Sequence, residues 1–335
     1  MYRIHSQRDV MKMTRIDKGE SDMKKYAFGV DIGGTTVKLG LFEAGGEILE
    51  KWEIPTVKDN NGAPILPDIA ESIAHKMKQK GIENSEVEGV GVGVPGAVVG
   101  DGYLVSRAVN LGWEPFDVAG TLSEYLKLPV RAANDANVAA FGEMWKGGGK
   151  GHENMVAVTL GTGVGGGIIV DGRILIGANG AGGEIGHIHM EDDETEICGC
   201  KNKGCLEQYA SATGIVRLAN RRLAKDAAPS VLRDGEVTAK TVFDAVKAGD
   251  PVANEIAEQF GEYLGKGLAA IANVVNPEIF VIGGGVSKAG DILLKLVRPA
   301  FDKYAFAPCR AAEFALATLG NDAGIIGAAA LILKK

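Results

Sequence analysis

Residues 26–54 read YAFGVDIGGTTVKLGLFEAGGEILEKWEI. An apolar run from Tyr26, a Gly/Thr turn, a second run through Phe42, a turn at Ala44 to Gly46 and a third run predict three strands joined as a meander. Residues 155–177, MVAVTLGTGVGGGIIVDGRILIG, follow the same plan. An apolar strand, a turn rich in Gly and Thr, a second apolar strand, an Asp171-Gly172 turn and a third strand follow one another. The likeness predicts two related halves.

The intervening and following segments alternate helix and strand. Ile69, Ile73 and Met77 mark one face of a helix within Asp68 to Lys80, and Val90 to Val94 reads as a short buried strand closed by Pro95-Gly96. Asp250-Pro251 supplies a helix cap and a first-turn proline. Ile256, Phe260, Leu264, Leu268 and Ile271 then predict a long amphipathic helix ending at Asn276-Pro277. The strand EIFVIGGG follows at residues 278–285. From Asp322 the chain is rich in Ala, Ile and Leu and predicts a buried helix that returns to the first half and ties the two together. The fold class is α/β.

Three glycine loops stand out, Gly33 to Thr36, Gly161 to Gly167 and Gly283 to Ser287. Glycine lets backbone N–H groups approach a phosphate, and neighbouring hydroxyls add donors. Alone, each loop reads first as a tight hairpin. A dinucleotide fingerprint would open a helix after its glycines, whereas Val37 to Phe42 reads as a strand. A Walker A loop would end in Gly-Lys-Ser/Thr before a helix, and none of the three does.

Residues 130–151, VRAANDANVAAFGEMWKGGGKG, place Asn134 and Asp135 between a strand and a helix expected over Val138 to Met144. Transfer of a phosphoryl group to a hydroxyl needs a carboxylate that orients the hydroxyl and takes its proton. On spacing alone, Asn134 or Asp135 serves equally as a helix cap. Residues 182–211, GGEIGHIHMEDDETEICGCKNKGCLEQYAS, carry one imidazole, His187, ahead of Cys198, Cys200 and Cys205. One histidine and three thiolates suit a closed tetrahedral structural zinc site. A disulfide is the competing reading, but Cys198 and Cys200 are too close to pair comfortably and any bridge leaves a cysteine over. His189 could replace His187, and a carboxylate of Glu191 to Glu196 could join; the spacing leaves this open.

The chain has 335 residues, 46% hydrophobic and 24% charged, with room for two domains and a sizeable core. A net charge of −7 argues against nucleic acid or acidic membranes as partners, and points to a small molecule. No apolar run approaches the roughly 18 residues of a membrane span, and no secretory signal core is present, so the expected location is the cytoplasm. Three of four cysteines crowd between Cys198 and Cys205, which reads as a metal site rather than a secreted disulfide framework. Residues 1–23 are polar and aperiodic and are expected to form a disordered extension, or to reflect an upstream start codon.

In this order, from Lys24 to the C-terminus, the motifs resemble the ROK family of bacterial sugar kinases. The resemblance implies an actin-like ATPase/hexokinase (ribonuclease H-like) fold with two lobes around a cleft. A small α/β domain would comprise residues 24–138 and 322–335, and a large one, with the zinc motif, residues 139–321. It implies that Asp31, Gly33, Gly34 and Thr35 form one phosphate loop, that Thr162 and Gly163 belong to the other, and that Gly283, Gly284 and Gly285 border the adenosine of ATP. Asp31 would lie near Mg2+, through water. Asp135 would be the base for the sugar's primary hydroxyl, with Asn110, Asn134, Glu184, His187 and Glu207 as further sugar partners. His187, Cys198, Cys200 and Cys205 would hold one Zn2+. NLGW at residues 110–113 and MWKGGGKG at 144–151 look most like the glucokinase branch, which implies glucose as acceptor. Fructose, N-acetylmannosamine or another N-acetylhexosamine as acceptor, and polyphosphate as donor, are competing readings. The family's sugar-responsive repressors carry an N-terminal helix-turn-helix domain, for which residues 1–23 are too short. A homodimer or homotetramer is implied.

Overall fold

In a computed structural model the described residues are 24–99, 104, 105 and 108–334; the extension expected over residues 1–23 lies outside them. The first half begins with β1 (Tyr26–Ile32), β2 (Thr36–Glu43) and β3 (Ile48–Pro55). A distorted turn, α1 (Asp59–Gly62), leads to α2 (Ile65–Lys80), β4 (Val87–Val94), β5 (Val98–Val99), β6 (Leu104–Val105), β7 (Phe116–Asp117), α3 (Val118–Leu126), β8 (Val130–Asn134) and α4 (Asp135–Lys146). The second half contains β9 (Met155–Leu160), β10 (Val164–Val170), β11 (Arg173–Ile174), α5 (Glu207–Ala210), α6 (Ala212–Leu223), α7 (Ala239–Lys247) and α8 (Pro251–Val275). It closes with β12 (Ile279–Gly283), α9 (Asp291–Tyr304), β13 (Glu313–Leu316) and α10 (Ala323–Leu333).

The two meanders become the matching parts of two five-stranded sheets. One has the order β3-β2-β1-β4-β8 and the other β11-β10-β9-β12-β13. In each, the first three strands pair antiparallel and the last two add in parallel. The internal repeat read from the sequence is therefore a repeat of topology. The third strand of the second half is cut to Arg173–Ile174.

Several boundaries move outward from the expected ones. The first long helix starts at Ile65 rather than Asp68, because Ile65 and Leu66 are buried with Ile69 and Ile73. The strand over Val90 to Val94 starts at Val87, whose side chain is also buried. The helix expected from Val138 begins at Asp135, since Asn134 accepts from the amides of Ala136 and Asn137 and caps it there. The Asp250 cap and Pro251 open α8 as read, and Asn276 ends it in the left-handed conformation.

α10 returns to the first sheet and packs on β1, β4 and α4. The approach is close enough to require glycine. A Cβ on Gly91 of β4 would stand 1.7 Å from the Ala328 carbonyl oxygen, and one on Gly327 of α10 would stand 1.7 Å from that of Val138 in α4. Gly91→Ala is therefore expected to lift α10 off the sheet, lowering stability by at least about 1–3 kcal/mol in denaturant unfolding. A wild-type midpoint and slope would refute this close-contact account.

Candidate active site

Both glycine hairpins open at the same end of their sheets. In the first, the Gly33 amide donates to the Thr36 carbonyl at 3.0 Å, and Thr56 braces the turn through its hydroxyl to the Gly33 carbonyl (2.8 Å) and its amide to that of Thr35 (2.9 Å). Gly34 and Thr35 are exposed at its tip. In the second, the Gly161 amide donates to the Gly163 carbonyl at 3.0 Å. The start of α6 seats this hairpin: the Ala212 amide donates to the Gly161 carbonyl (2.8 Å) and the Thr213 hydroxyl to that of Thr162 (2.7 Å). The third loop backs onto it, since a Cβ on Gly284, at φ +87°, would stand 2.5 Å from the Leu160 carbonyl oxygen. Beside Thr162 and Gly163 opens a cavity of about 630 Å3, walled also by Cys198, Glu207, Thr213 and Arg217.

Asp31 is the penultimate residue of β1, next to the first turn of α10, where a Cβ on Gly324 would meet its Oδ2 at 2.4 Å. Desolvation raises its pKa above the ordinary carboxylate value; the charge of Asp135 adds to this and Lys38 opposes it. Asp135 is the first residue of α4, with its Oδ1 accepting from the Ala136 amide at 2.8 Å. Desolvation raises its pKa as well, against the Ala136 amide and Asn134, with Glu184 adding a like charge. Asp135 is exposed at the head of α4, so the surrounding protein disfavours its charge without shutting it off from solvent. Asn134 is committed to its cap through Oδ1, and its Nδ2 donates to the Gly96 carbonyl at 3.0 Å while also facing the Asp135 carboxylate. Asn110 lies exposed in a short turn, without a side-chain hydrogen bond among the described residues.

His187 stands between two carboxylates and the thiols. Its Nε2 is 3.8 Å from Glu184 Oε2, while its Nδ1 is 3.9 Å from Glu207 Oε1 and 3.8 Å from Cys198 Sγ. Glu207 is further fixed by the Val164 amide at 3.3 Å. Cys200 and Cys205 approach to 3.5 Å, and one ligand atom from each of His187, Cys198, Cys200 and Cys205 lies within 4.8 Å of all the others. Tetrahedral ligands at zinc distances stand about 3.3–3.8 Å apart, so the donor set suits that ion with small adjustment. All the cysteines are free thiols. Burial pushes the Cys198 thiol up to about 12, a cost that a dication on the thiolate reverses.

The ambiguity over His189 is resolved by its partners: Nε2 meets Asp192 at 2.8 Å and Nδ1 meets the Lys203 carbonyl at 3.0 Å. Both ring nitrogens are engaged outside the thiol cluster. Two cations escaped the sequence reading. Lys38 acts on Asp31 from the neighbouring strand, and Lys58 Nζ lies 3.6 Å from where a Cβ on Gly34 would stand, at the tip of the first hairpin. Lys38 is two residues beyond the Gly/Thr turn and could have been suspected; nothing in the sequence brings Lys58 to Gly34.

Residues 27–335 match the profile of the ROK family. The chain belongs to the ROK family. A glucokinase of Halalkalibacterium halodurans is 46% identical over 93% of this chain and 96% of its own length. The glucokinase of Streptomyces coelicolor is 37% identical over 90% of this chain and 96% of its own. Among solved structures, a ROK glucokinase from Streptomyces griseus in complex with glucose and AMPPNP superposes with a TM-score of 0.70 at 35% identity, covering 92% of this chain and all of that one. The actin-like ATPase fold with paired sheets is thus the fold of this ROK chain. No helix among its described residues is long and apolar enough to cross a membrane.

Proposed function

We propose that this ROK protein is an ATP-dependent glucokinase, which transfers the γ-phosphoryl group of ATP to the 6-hydroxyl of glucose. The observation that carries the reading is Asp135, held at the start of α4 within electrostatic reach of both Asp31 and Glu184. Asp31 lies at the end of β1 beside one hairpin, while Glu184 belongs to the His187 group, so Asp135 stands where a phosphate donor and a polyhydroxyl acceptor would meet.

In this reading the exposed backbone of Gly33, Gly34 and Thr35 grips the phosphates from one side and Thr162 and Gly163 from the other, with Gly283, Gly284 and Gly285 bordering the adenosine. Asn110, Asn134, Glu184, His187 and Glu207 hold the sugar hydroxyls. Each hydroxyl buried without a partner would cost about 1–3 kcal/mol, which is why polar side chains converge here. Asp135 orients the 6-hydroxyl and accepts its proton as the oxygen–phosphorus bond forms and the bond from the γ-phosphorus to the bridging oxygen breaks, releasing ADP. Magnesium, when bound with the nucleotide, neutralises phosphate charge, and Asp31 would hold it through water. His187, Cys198, Cys200 and Cys205 would hold zinc. The ion would fix the imidazole so that Nε2 faces the sugar beside Glu184. Residues 24–138 with 322–335 and residues 139–321 form the lobes that close on the sugar.

The deciding experiment is ADP release with magnesium ATP and single sugars. Turnover on glucose far above fructose, N-acetylmannosamine and N-acetylglucosamine is expected; preference for an N-acetylated sugar, or for polyphosphate over ATP, would overturn the reading. Because Asp135 must be ionised to take the proton and its pKa is raised, kcat/KM is expected to fall as pH drops, with a midpoint above the usual carboxylate value. A pH–rate profile flat down to the ordinary carboxylate range would contradict this.

A further inference from the structure

The acidic run from Glu191 to Glu196 supplies no donor to the His187–thiol cluster. One of its members is nevertheless among the most enclosed charges in the protein. The Glu194 side chain is 1% exposed, and its carboxylate receives the Tyr209 hydroxyl, the Arg221 guanidinium at 3.1 and 3.2 Å, and the amides of Thr195 and Glu196 at 2.8 and 2.9 Å. Arg217 adds an ion pair at 2.6 Å, outside aligned hydrogen-bond geometry. A buried carboxylate with this many donors is fixed in place, and removing its charge leaves Arg217 and Arg221 with only the more exposed Glu196 carboxylate, 3.1 Å from each.

What the donors are attached to gives the network its meaning. Arg217 and Arg221 lie on α6, whose first residues hold the Gly161–Gly163 hairpin. Tyr209 lies on α5 beside Glu207, and Ser211 joins α5 to α6 by accepting from the Gly214 amide at 2.9 Å while donating to the Glu207 carbonyl at 2.6 Å. On the other side, Gln208 of α5 receives the Cys205 amide and donates to the Glu196 carbonyl, each at 3.1 Å, so the cysteine loop is stitched to the same helices. Tyr209 is held against Tyr263 by stacking at 4.2 Å, and the Tyr263 hydroxyl donates to Glu191 at 3.1 Å.

We propose that Glu194 is a positioning residue for the reaction, acting through Tyr209, Arg217 and Arg221. It locks the His187–cysteine loop to the α5–α6 pair, so that the sugar-side carboxylate Glu207 and the phosphate-side hairpin share one rigid support. This inference rests on the reading of the cluster as a zinc site and of Glu207 as a sugar partner.

The test compares wild type with Glu194→Gln and Tyr209→Phe, the latter removing one hydrogen bond while leaving the ion pairs. Bound zinc in each purified protein, its release rate into a chromogenic chelator, glucose affinity by calorimetry, and kcat and KM for both substrates are measured. Wild type is expected to hold one zinc. Glu194→Gln is expected to release it about ten-fold faster, bind glucose about ten-fold more weakly and raise the KM for ATP, with Tyr209→Phe shifting the same quantities less. If both variants melt lower but keep wild-type zinc release, glucose affinity and KM, Glu194 is only a structural ion pair and the proposal falls. Wild-type protein without zinc would instead sink the metal reading beneath it.

Discussion

Asp135→Asn is expected to lower kcat by about 10²- to 10⁴-fold while glucose still binds, because the amide keeps the shape of the site but cannot accept the hydroxyl proton. The stability of the same variant should move the other way. The Asp135 pKa is raised in the folded state, so the folded chain binds more protons than the unfolded one between the two pKa values, and ionisation of Asp135 costs stability as pH rises through that window. At neutral pH the uncharged variant should melt no lower than wild type, and the nearby Asp31 loses a like-charged neighbour. Turnover by Asp135→Asn at a wild-type rate would remove Asp135 from the mechanism. A large loss of melting temperature with lost turnover would make the effect one of folding.

The second large effect follows from metal removal. Extracting zinc from reduced protein is expected to weaken glucose binding by about 10- to 100-fold and to lower the melting temperature together, since His187 is shared between the thiol cluster and Glu184. Zinc should restore both quantities. Magnesium should not, because thiolates are poor ligands for it. Protein that binds glucose and melts normally after complete chelation would refute a structural ion here. Loss of stability alone, with normal glucose affinity, would separate His187 from the sugar.

The parts of the site that could be read from the sequence are those whose chemistry is local. The Gly33–Thr36 and Gly161–Gly163 turns show as breaks between apolar strands, and the spacing of Cys198, Cys200 and Cys205 brings out the thiol cluster within a few residues. Asp135 could be narrowed only to a cap or a base, and the structure places the cap on Asn134, while the role of Asp135 as base is proposed. The choice of His187 over His189 was beyond the sequence, because it depends on a short bridge between His189 and Cys205 and on the pairing with Asp192. The Glu194 network was illegible for the same reason: its arginines lie more than twenty residues away, and nothing in the acidic run says which carboxylate turns inward. Lys58 comes to Gly34 from a stretch of chain that Thr56 fastens beside the first hairpin, a contact no local pattern announces.

The glycine-mediated seat of α10 has a bearing on how the protein is made. The first sheet is synthesised early, yet Phe42 completes its burial against Ile325, Ile326 and Ala329, near the end of the chain. A nascent chain emerging from the ribosome therefore carries the first sheet with an open apolar face until α10 has also been made. During that interval the half-built sheet is a client for chaperones. Deleting α10 would leave it in that condition permanently.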